Sequence, residues 1–275
     1  MGNVPFDHWG TSPLTIDKEG LLWYISPRHL ILERGKKTPR RNWEAQKEKN
    51  IPHIKGQTLA VIFDMDGVIV DNMEYHKRAW EMFLKKYAPD IDVDEFSRHF
   101  GMVNKDLLKI VFQREVSDEE ESQFGEEKEA LYREIYAEDV APTGGLVDFL
   151  QELRENSVRT AVASAAPKVN VDFVFEKTGL RPYFDVSIDA NDVTRGKPDP
   201  EIYLKTAEKL NCPPEACLVF EDSVPGVQAG RNAGMRVIGV ATSHPADKLK
   251  ETEFVIKDFT EINFETVRDY LIVTG

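Results

Sequence analysis

From Leu59 onward the chain alternates short apolar, β-branched runs with amphipathic stretches, a pattern that few architectures accept. "LAVIFD" (59–64), "RTAVAS" (159–164), "FDVSID" (184–189), "CLVFED" (217–222) and "RVIGVAT" (236–242) read as strands. Most lack the alternating polar positions of a strand with one wet face, so they read as parallel strands covered on both sides. Between them, "PKVNVDFVFEKTGL", "DPEIYLKTAEKL" and "PGVQAGRNAG" carry helical patterns, the first and last stopping in or near glycine. Strand and helix alternating in this way imply right-handed crossovers. The expected fold is therefore α/β, a doubly wound parallel sheet of the Rossmann-like kind.

One interval breaks the rhythm. Between Asp71 and the strand near Arg159, roughly 70 residues read as helix only, through "MEYHKRAWEMFLKKY", "NKDLLKIVFQR" and "DEEESQFGEEKEALYREIY". A helical insertion after the first strand, returning through "APTGG" (141–145), is expected to cap the carboxyl edge of the sheet, where open α/β sheets bind ligands. The expected organisation is an extension over 1–56, a core from 57–72 and 142–275, and a helical cap over 73–141.

Charge separates the extension from the rest. Residues 1–56 hold 10 Lys/Arg against 6 Asp/Glu, whereas the other 219 hold 25 against 42. "LTIDKEGLLWYIS" reads as a hairpin around Lys18 to Gly20, and "RNWEAQKEKN" as a short polar helix. Trp9, Trp23 and Trp43 also fall here, so the segment is either an ordered appendage or an element that binds a partner or a second copy. A net charge of −13 argues against nonspecific binding to nucleic acid or anionic lipid, both of which need positive surface. Cys212 and Cys217 have no matching Cys/His pair, so neither a disulfide framework nor a zinc site is expected. No apolar run reaches the roughly 18 residues of a spanning helix. "MGNVPFDHWG" has neither a signal-peptide pattern nor the Ser/Thr of a myristoylation site, and the cytoplasm is the expected location.

The chemistry concentrates at strand ends. Asp64 closes the first strand, Asp66 follows two residues on, and Gly67 allows a tight turn. Two carboxylates about 4 Å apart repel by about 4 kcal/mol at an effective dielectric of about 20, so something must offset them. Glu221 and Asp222 close another strand of the same sheet. Four carboxylates on one edge call for a divalent cation, and oxygen-only ligands suit magnesium. Ser164 ends "TAVAS" before a helix, where its hydroxyl and the amides of Ala165 and Ala166 can face an anion. Lys197, in the glycine- and proline-set loop "TRGKPDPEIY", is placed to meet a phosphoryl oxygen.

In this order, "FDMDGVIVD", "ASA", "GKPDP" and "FEDSVPGVQAGRNAGM" resemble the haloacid dehalogenase superfamily of phosphoryl-transfer enzymes, over about 210 residues from roughly Leu59 to the C-terminus. "DNMEYHKRAW" looks like the β-phosphoglucomutase-like branch, with its small helical cap. The resemblance implies that Asp64 is the nucleophile that takes up the phosphoryl group and that Asp66 is the general acid/base. It implies that Asp64, the Asp66 carbonyl and Asp222 hold magnesium, with Glu221 nearby, and that Ser164 and Lys197 bind the transferring phosphoryl.

The cap decides substrate. By the same resemblance His76, Trp80, Lys105 and Lys128 match cap and hinge positions of the mutase branch, each with a structural alternative as core aromatic, hinge hydrogen-bonder or solvated charge. "SAAPK" (164–168) departs from that branch, since Ala166 and Pro167 have no polar group to grip a second phosphate and only Lys168 is left for it. Asn104 or Lys105 replaces the mutases' arginine. The expected function is a magnesium-dependent phosphatase, monomeric, acting on a small phosphorylated metabolite such as a sugar phosphate through an aspartyl phosphate. A phosphosugar mutase is the alternative. A binding protein on a silenced enzyme fold is the third, although no catalytic position is degraded.

Overall fold

The computed structural model of the chain describes residues 57–100 and 102–272, and before them the strand segments Thr15–Ile16, Leu22–Trp23 and His53–Ile54. The chain divides into two compact units, 1–43 and 44–275. In the first, Thr15 pairs with Trp23 and Ile16 with Leu22 in antiparallel register, the arms of the expected hairpin. The turn at Lys18 to Gly20, the polar helix read at "RNWEAQKEKN", Trp9 and Trp43 lie outside the described residues.

The second unit is built on six parallel strands, β1 Ala60–Phe63, β2 Arg159–Ala163, β3 Val186–Ile188, β4 Cys217–Glu221, β5 Arg236–Val240 and β6 Val255–Ile256, in the order β6-β5-β4-β1-β2-β3. The first five are the strands expected from the sequence. The strand order reverses direction at β1, which makes the space between the carboxyl ends of β1 and β4 the switch-point crevice of a doubly wound sheet. All four β1 residues are buried because both sheet faces are covered. Val61 and Phe63 pack with Leu150 of α5 (Leu146–Glu155), Val174 of α6 (Lys168–Thr178) and Val267 of α9 (Phe264–Ile272). Ala60 and Ile62 pack with Tyr203 of α7 (Glu201–Leu210) and Val227 of α8 (Val224–Asn232).

Between β1 and α5 lie α1 (Met73–Tyr87), α2 (Val93–Phe96), α3 (Asn104–Phe112) and α4 (Asp118–Tyr136). These helices enclose a separate apolar cluster of Trp80, Phe83, Phe96, Leu107, Leu108 and Val111. Helix α4 starts on a reciprocal cap, with the Ser117 hydroxyl on the Glu120 amide and the Glu120 carboxylate on the Ser117 amide. Helices α2, α5 and α9, the edge strand β6 and a short antiparallel pair, His53–Ile54 with Gln57–Thr58, complete the unit beyond what the periodicity announces.

Candidate active site

Register brings the acids together. Phe63 pairs with Phe220 on one side and Val162 on the other, so the residues that follow, Asp64 and Glu221, leave the sheet at the same level. The Asp64 amide continues the ladder with a 3.0 Å hydrogen bond to the Phe220 carbonyl. Asp64, Glu221 and Asp222 are all buried, and each offers a carboxylate oxygen within 4.8 Å of the others. Gly67, at φ +76°, turns the chain immediately beneath them, and a Cβ there would stand 1.9 Å from Asp222 Oδ2. Only glycine meets both demands.

One ammonium enters this cluster. Lys197 Nζ lies 2.7 Å from Asp64 Oδ1 and 2.5 Å from Glu221 Oε1, 2% exposed. Its loop is tied down by Glu201, the first residue of α7, whose Oε2 accepts from the Arg195 amide at 2.9 Å and the Thr194 hydroxyl at 2.9 Å. Burial works against the charge on Lys197, and the carboxylates of Asp64 and Glu221 outweigh it, holding the ammonium well above its ordinary range. Burial pushes Asp64 up to about 7 even though Lys197 pulls the other way. Asp222 is raised well above the carboxylate range, first by burial and then by Glu221 and Asp64. Among the described residues these acids share one cation, Lys197, and oxygen donors at this spacing suit a hard divalent ion. The residues present therefore fit magnesium.

Glu221 has a further task. Its Oε1 also accepts from the Tyr203 hydroxyl at 2.8 Å. Its Oε2 accepts from the amides of Asp222 and Ser223 at 3.0 and 3.1 Å and from the Ser223 hydroxyl at 2.9 Å. Both oxygens are engaged in fixing Lys197 and the start of α8, which leaves Asp64 and Asp222 the better placed of the three to face an ion.

Asp64, Asp66, His76, Trp80, Lys128 and Ala165 all line one cavity of 450 Å³ between the sheet edge and the cap helices, as does Asp222. Ser164 is fully buried beside it, its hydroxyl accepting from the Ala166 amide at 3.0 Å. The Ala166 amide, expected from the sequence to face an anion, is bonded to Ser164 Oγ instead. Asp66 Oδ1 accepts from Asn72 Nδ2 at 2.6 Å and lies 3.3 Å from His76 Nε2. Burial opposes ionisation of Asp66, but His76 and the Asn72 amide beside it prevail and hold the carboxyl below its usual range.

His76 Nδ1 lies 2.8 Å from Lys128 Nζ. An ammonium has only donors, so Nδ1 is the acceptor and the ring proton sits on Nε2, the nitrogen nearest Asp66. The imidazole stacks on Tyr132 at 3.9 Å and 9°. Lys128 also donates to Glu129 Oε1 at 2.9 Å and stands 5.1 Å over the Trp80 ring. Trp80, 1% exposed, is both cap core and cavity wall.

The two remaining lysines expected here are elsewhere. Lys105 pairs with Asp118 at 2.5 Å and borders a different cavity. Lys168 pairs with Asp172 at 2.5 Å, with about 60% of both side chains exposed. Each is one turn or one loop from an acid on its own surface, and that local pairing keeps it from the cavity. Asn72, Tyr203, Ser243 and Glu129 were not anticipated. Ser243 donates to Asp222 from the loop after β5, more than 20 residues away in sequence, and no local pattern marks it.

The haloacid dehalogenase-like hydrolase family model matches residues 58–234. This chain belongs to that family. Within the family it is 34% identical to a phosphorylated carbohydrates phosphatase of Thermotoga maritima over 189 residues, 67% of this chain and 86% of that protein. It is 28% identical to a validoxylamine A 7'-phosphate phosphatase of Streptomyces hygroscopicus subsp. limoneus, over 74% of this chain and 95% of that one. A β-phosphoglucomutase structure from Clostridium difficile superposes with a TM-score of 0.69 and 29% identity, covering 77% of this chain and 96% of that chain. The family's core and the resemblance to its β-phosphoglucomutase-like branch are as the motifs indicated, and the chain is an enzyme acting on phosphate esters. Among the described residues no helix is long and apolar enough to cross a membrane.

Proposed function

We propose that the protein is a magnesium-dependent phosphatase of small phosphorylated metabolites, sugar phosphates in the first place, working through an aspartyl phosphate in the cytoplasm. Residues 57–72 and 142–275 serve as its catalytic core, 73–141 as its cap and 1–56 as an extension. The observation that carries the reading is Lys197, buried between Asp64 and Glu221 at the mouth of the switch-point crevice. Asp64, Asp222 and the Asp66 carbonyl would hold magnesium, which would supply positive charge to offset that on the phosphoryl oxygens.

In the first half-reaction a carboxylate oxygen of Asp64 attacks phosphorus, a new O–P bond forms, and the ester P–O bond breaks. Asp66 passes its proton to the departing alkoxide. In the second half Asp66, as carboxylate, takes a proton from water while the water oxygen attacks phosphorus, and the Asp64 O–P bond breaks. Inorganic phosphate and free Asp64 result. The depressed pKa of Asp66 suits it to the second half, where a base is required. Ser164 and Lys197 hold the phosphoryl group during both halves.

Hydrolysis is favoured over mutase chemistry by the far end of the cavity. Alanine and proline follow at positions 166 and 167, the Lys128 ammonium is engaged by Glu129 and His76, and neither Lys105 nor Lys168 is among its walls. Of the other cationic walls, Lys77 pairs with Asp94 and Arg98 lies 3.7 Å from Glu95, so a second phosphate would have to compete with an acid for either. The experiment is phosphate release across glucose 1-phosphate, glucose 6-phosphate, fructose 1-phosphate and their relatives, with magnesium. Conversion of glucose 1-phosphate to glucose 6-phosphate, with the bisphosphate added, faster than phosphate appears would reverse the choice.

A further inference from the structure

A polar chain crosses from the cap to the core beside the cavity. Glu129, on α4 and 2% exposed, accepts from Lys128 Nζ at 2.9 Å and from Asn104 Nδ2 at 2.8 Å through Oε1, and from Asn170 Nδ2 at 2.6 Å through Oε2. Asn170 belongs to α6 of the core and is fully buried. Its Oδ1 accepts from Arg133 Nη1 at 2.7 Å, one helical turn along α4 from Glu129. Arginine can only donate and an ionised carboxylate can only accept, so the two cap partners together dictate which way the Asn170 amide faces. Burial opposes the charge on Glu129, and Lys128 with its other donors keeps the carboxyl below its usual range.

The position of this clasp matters. Asn170 sits six residues after Ser164, in the first turn of the helix that follows the phosphoryl-binding strand end. On the cap side Glu129 shares Lys128 with His76, which in turn faces Asp66. Two cavities, of 450 and 570 Å³, share Glu129, Asn104 and Ala165 as walls, so the cap end of the clasp stands between two openings of the cap–core seam. We propose that Asn170 is a positioning residue which, through Glu129 and Arg133, holds the cap on the core so that Lys128 and His76 set the acid/base Asp66.

This rests on the reading of Asp66 given above, and the two can be told apart. Loss of positioning should hurt substrates whose leaving oxygen needs a proton and spare those whose leaving group departs without one. The assay compares kcat/KM for the best sugar phosphate of the panel with that for p-nitrophenyl phosphate. Asn170→Asp, which keeps the shape but sets a carboxylate against Glu129, should lose at least about tenfold on the sugar phosphate and less than about threefold on the aryl ester. Adding Glu129→Gln reverses the hydrogen bond, with the new amide donating to residue 170 while Arg133 keeps an acceptor. The double variant should regain most of the loss.

Equal losses on both substrates, or a double variant as impaired as the single at an unchanged melting temperature, would overturn the proposal. Should Asn170→Asp not fold, Glu129→Gln alone, which sets two amide NH2 groups face to face, replaces it in the same comparison. Asp66→Asn serves as the reference. If it shows no preference for the aryl ester, the acid/base reading fails and the positioning claim with it; if it does and Asn170→Asp does not, only the clasp is wrong.

Discussion

The Lys197 ammonium stands 2.7 Å from the Asp64 carboxylate, and neither side chain is more than a tenth exposed. The two are 133 residues apart in the chain, so only the folded sheet edge brings them together. Removing one member of such a buried pair leaves the other uncompensated, at a cost of about 3–5 kcal/mol. Lys197→Met should therefore melt well below the wild type in metal-free buffer and lose at least about a hundredfold in kcat. Thermal unfolding and phosphate release check the two parts separately.

Asp64→Asn removes the nucleophile and one of the crowded negative charges at once. Phosphate release should fall to background, and the melting temperature should fall less than in Lys197→Met, because Lys197 keeps Glu221 at 2.5 Å. Turnover above a few per cent of wild type in a steady-state assay would mean that another group attacks phosphorus.

Magnesium should stabilise the fold as well as support turnover. An ion that binds only the native state adds about 2.7 kcal/mol at a hundred times its dissociation constant. Titrating it into metal-stripped protein should raise the melting temperature progressively. Asp222→Asn should abolish most of that rise, and a chelator should end phosphate release by the wild type.

Gly226 tests the role of Glu221. A Cβ at position 226 would lie 1.8 Å from Glu221 Oε1. Gly226→Ala must displace that carboxylate, and with it Lys197, at a cost of about 1–3 kcal/mol from overpacking alone. Urea unfolding should register the loss, and activity should fall further than the stability change explains.

Glu201 predicts an acid limb. Its carboxyl is lowered from 4.5 to about 2, chiefly by the Lys205 hydrogen bond, with Thr194 and Arg195 adding to it against burial. A depressed carboxyl contributes stability above its ordinary pKa and loses it as pH falls through the folded value. The stability difference between wild type and Glu201→Gln should be full near pH 6, shrink below about 4.5 and vanish towards about 2. Urea midpoints across that range measure it; a difference that persists at the acid end would exclude the charge as its source.

Much of this was legible in the linear chain. "LAVIFD" and "CLVFED" are apolar along most of their length and end in acids, so their burial and parallel character follow from pattern, whereas the meeting of Asp64 with Glu221 and Asp222 needed the strands to be neighbours in register. Helices α1, α3 and α4 are equally plain, because their apolar faces repeat at helical spacing. Helix α9 and the two-residue strand β6 are not, since an edge strand that short has no period to detect.

The cap lysines mark the boundary. A lysine's reach exceeds the spacing that sequence describes, and which acid it meets depends on helix packing. Lys105 and Lys168 found acids on their own surfaces, whereas Lys128 was buried against Trp80, His76 and Glu129. Asn170 and Glu129 lie 41 residues apart on separate layers, and nothing local to either announces the other.

Local hydrophobic periodicity and the residue types at strand ends are properties of neighbours along the chain, so the parallel sheet and the carboxylate edge could be read before any folding, and the phosphate-ester chemistry followed from the family resemblance of the motifs. The choice of partner for each buried charge is a property of neighbours in space. It depends on desolvation and on the angle at which the cap meets the core, and only the packed structure settles which ammonium serves Asp64 and which amide clasps Glu129.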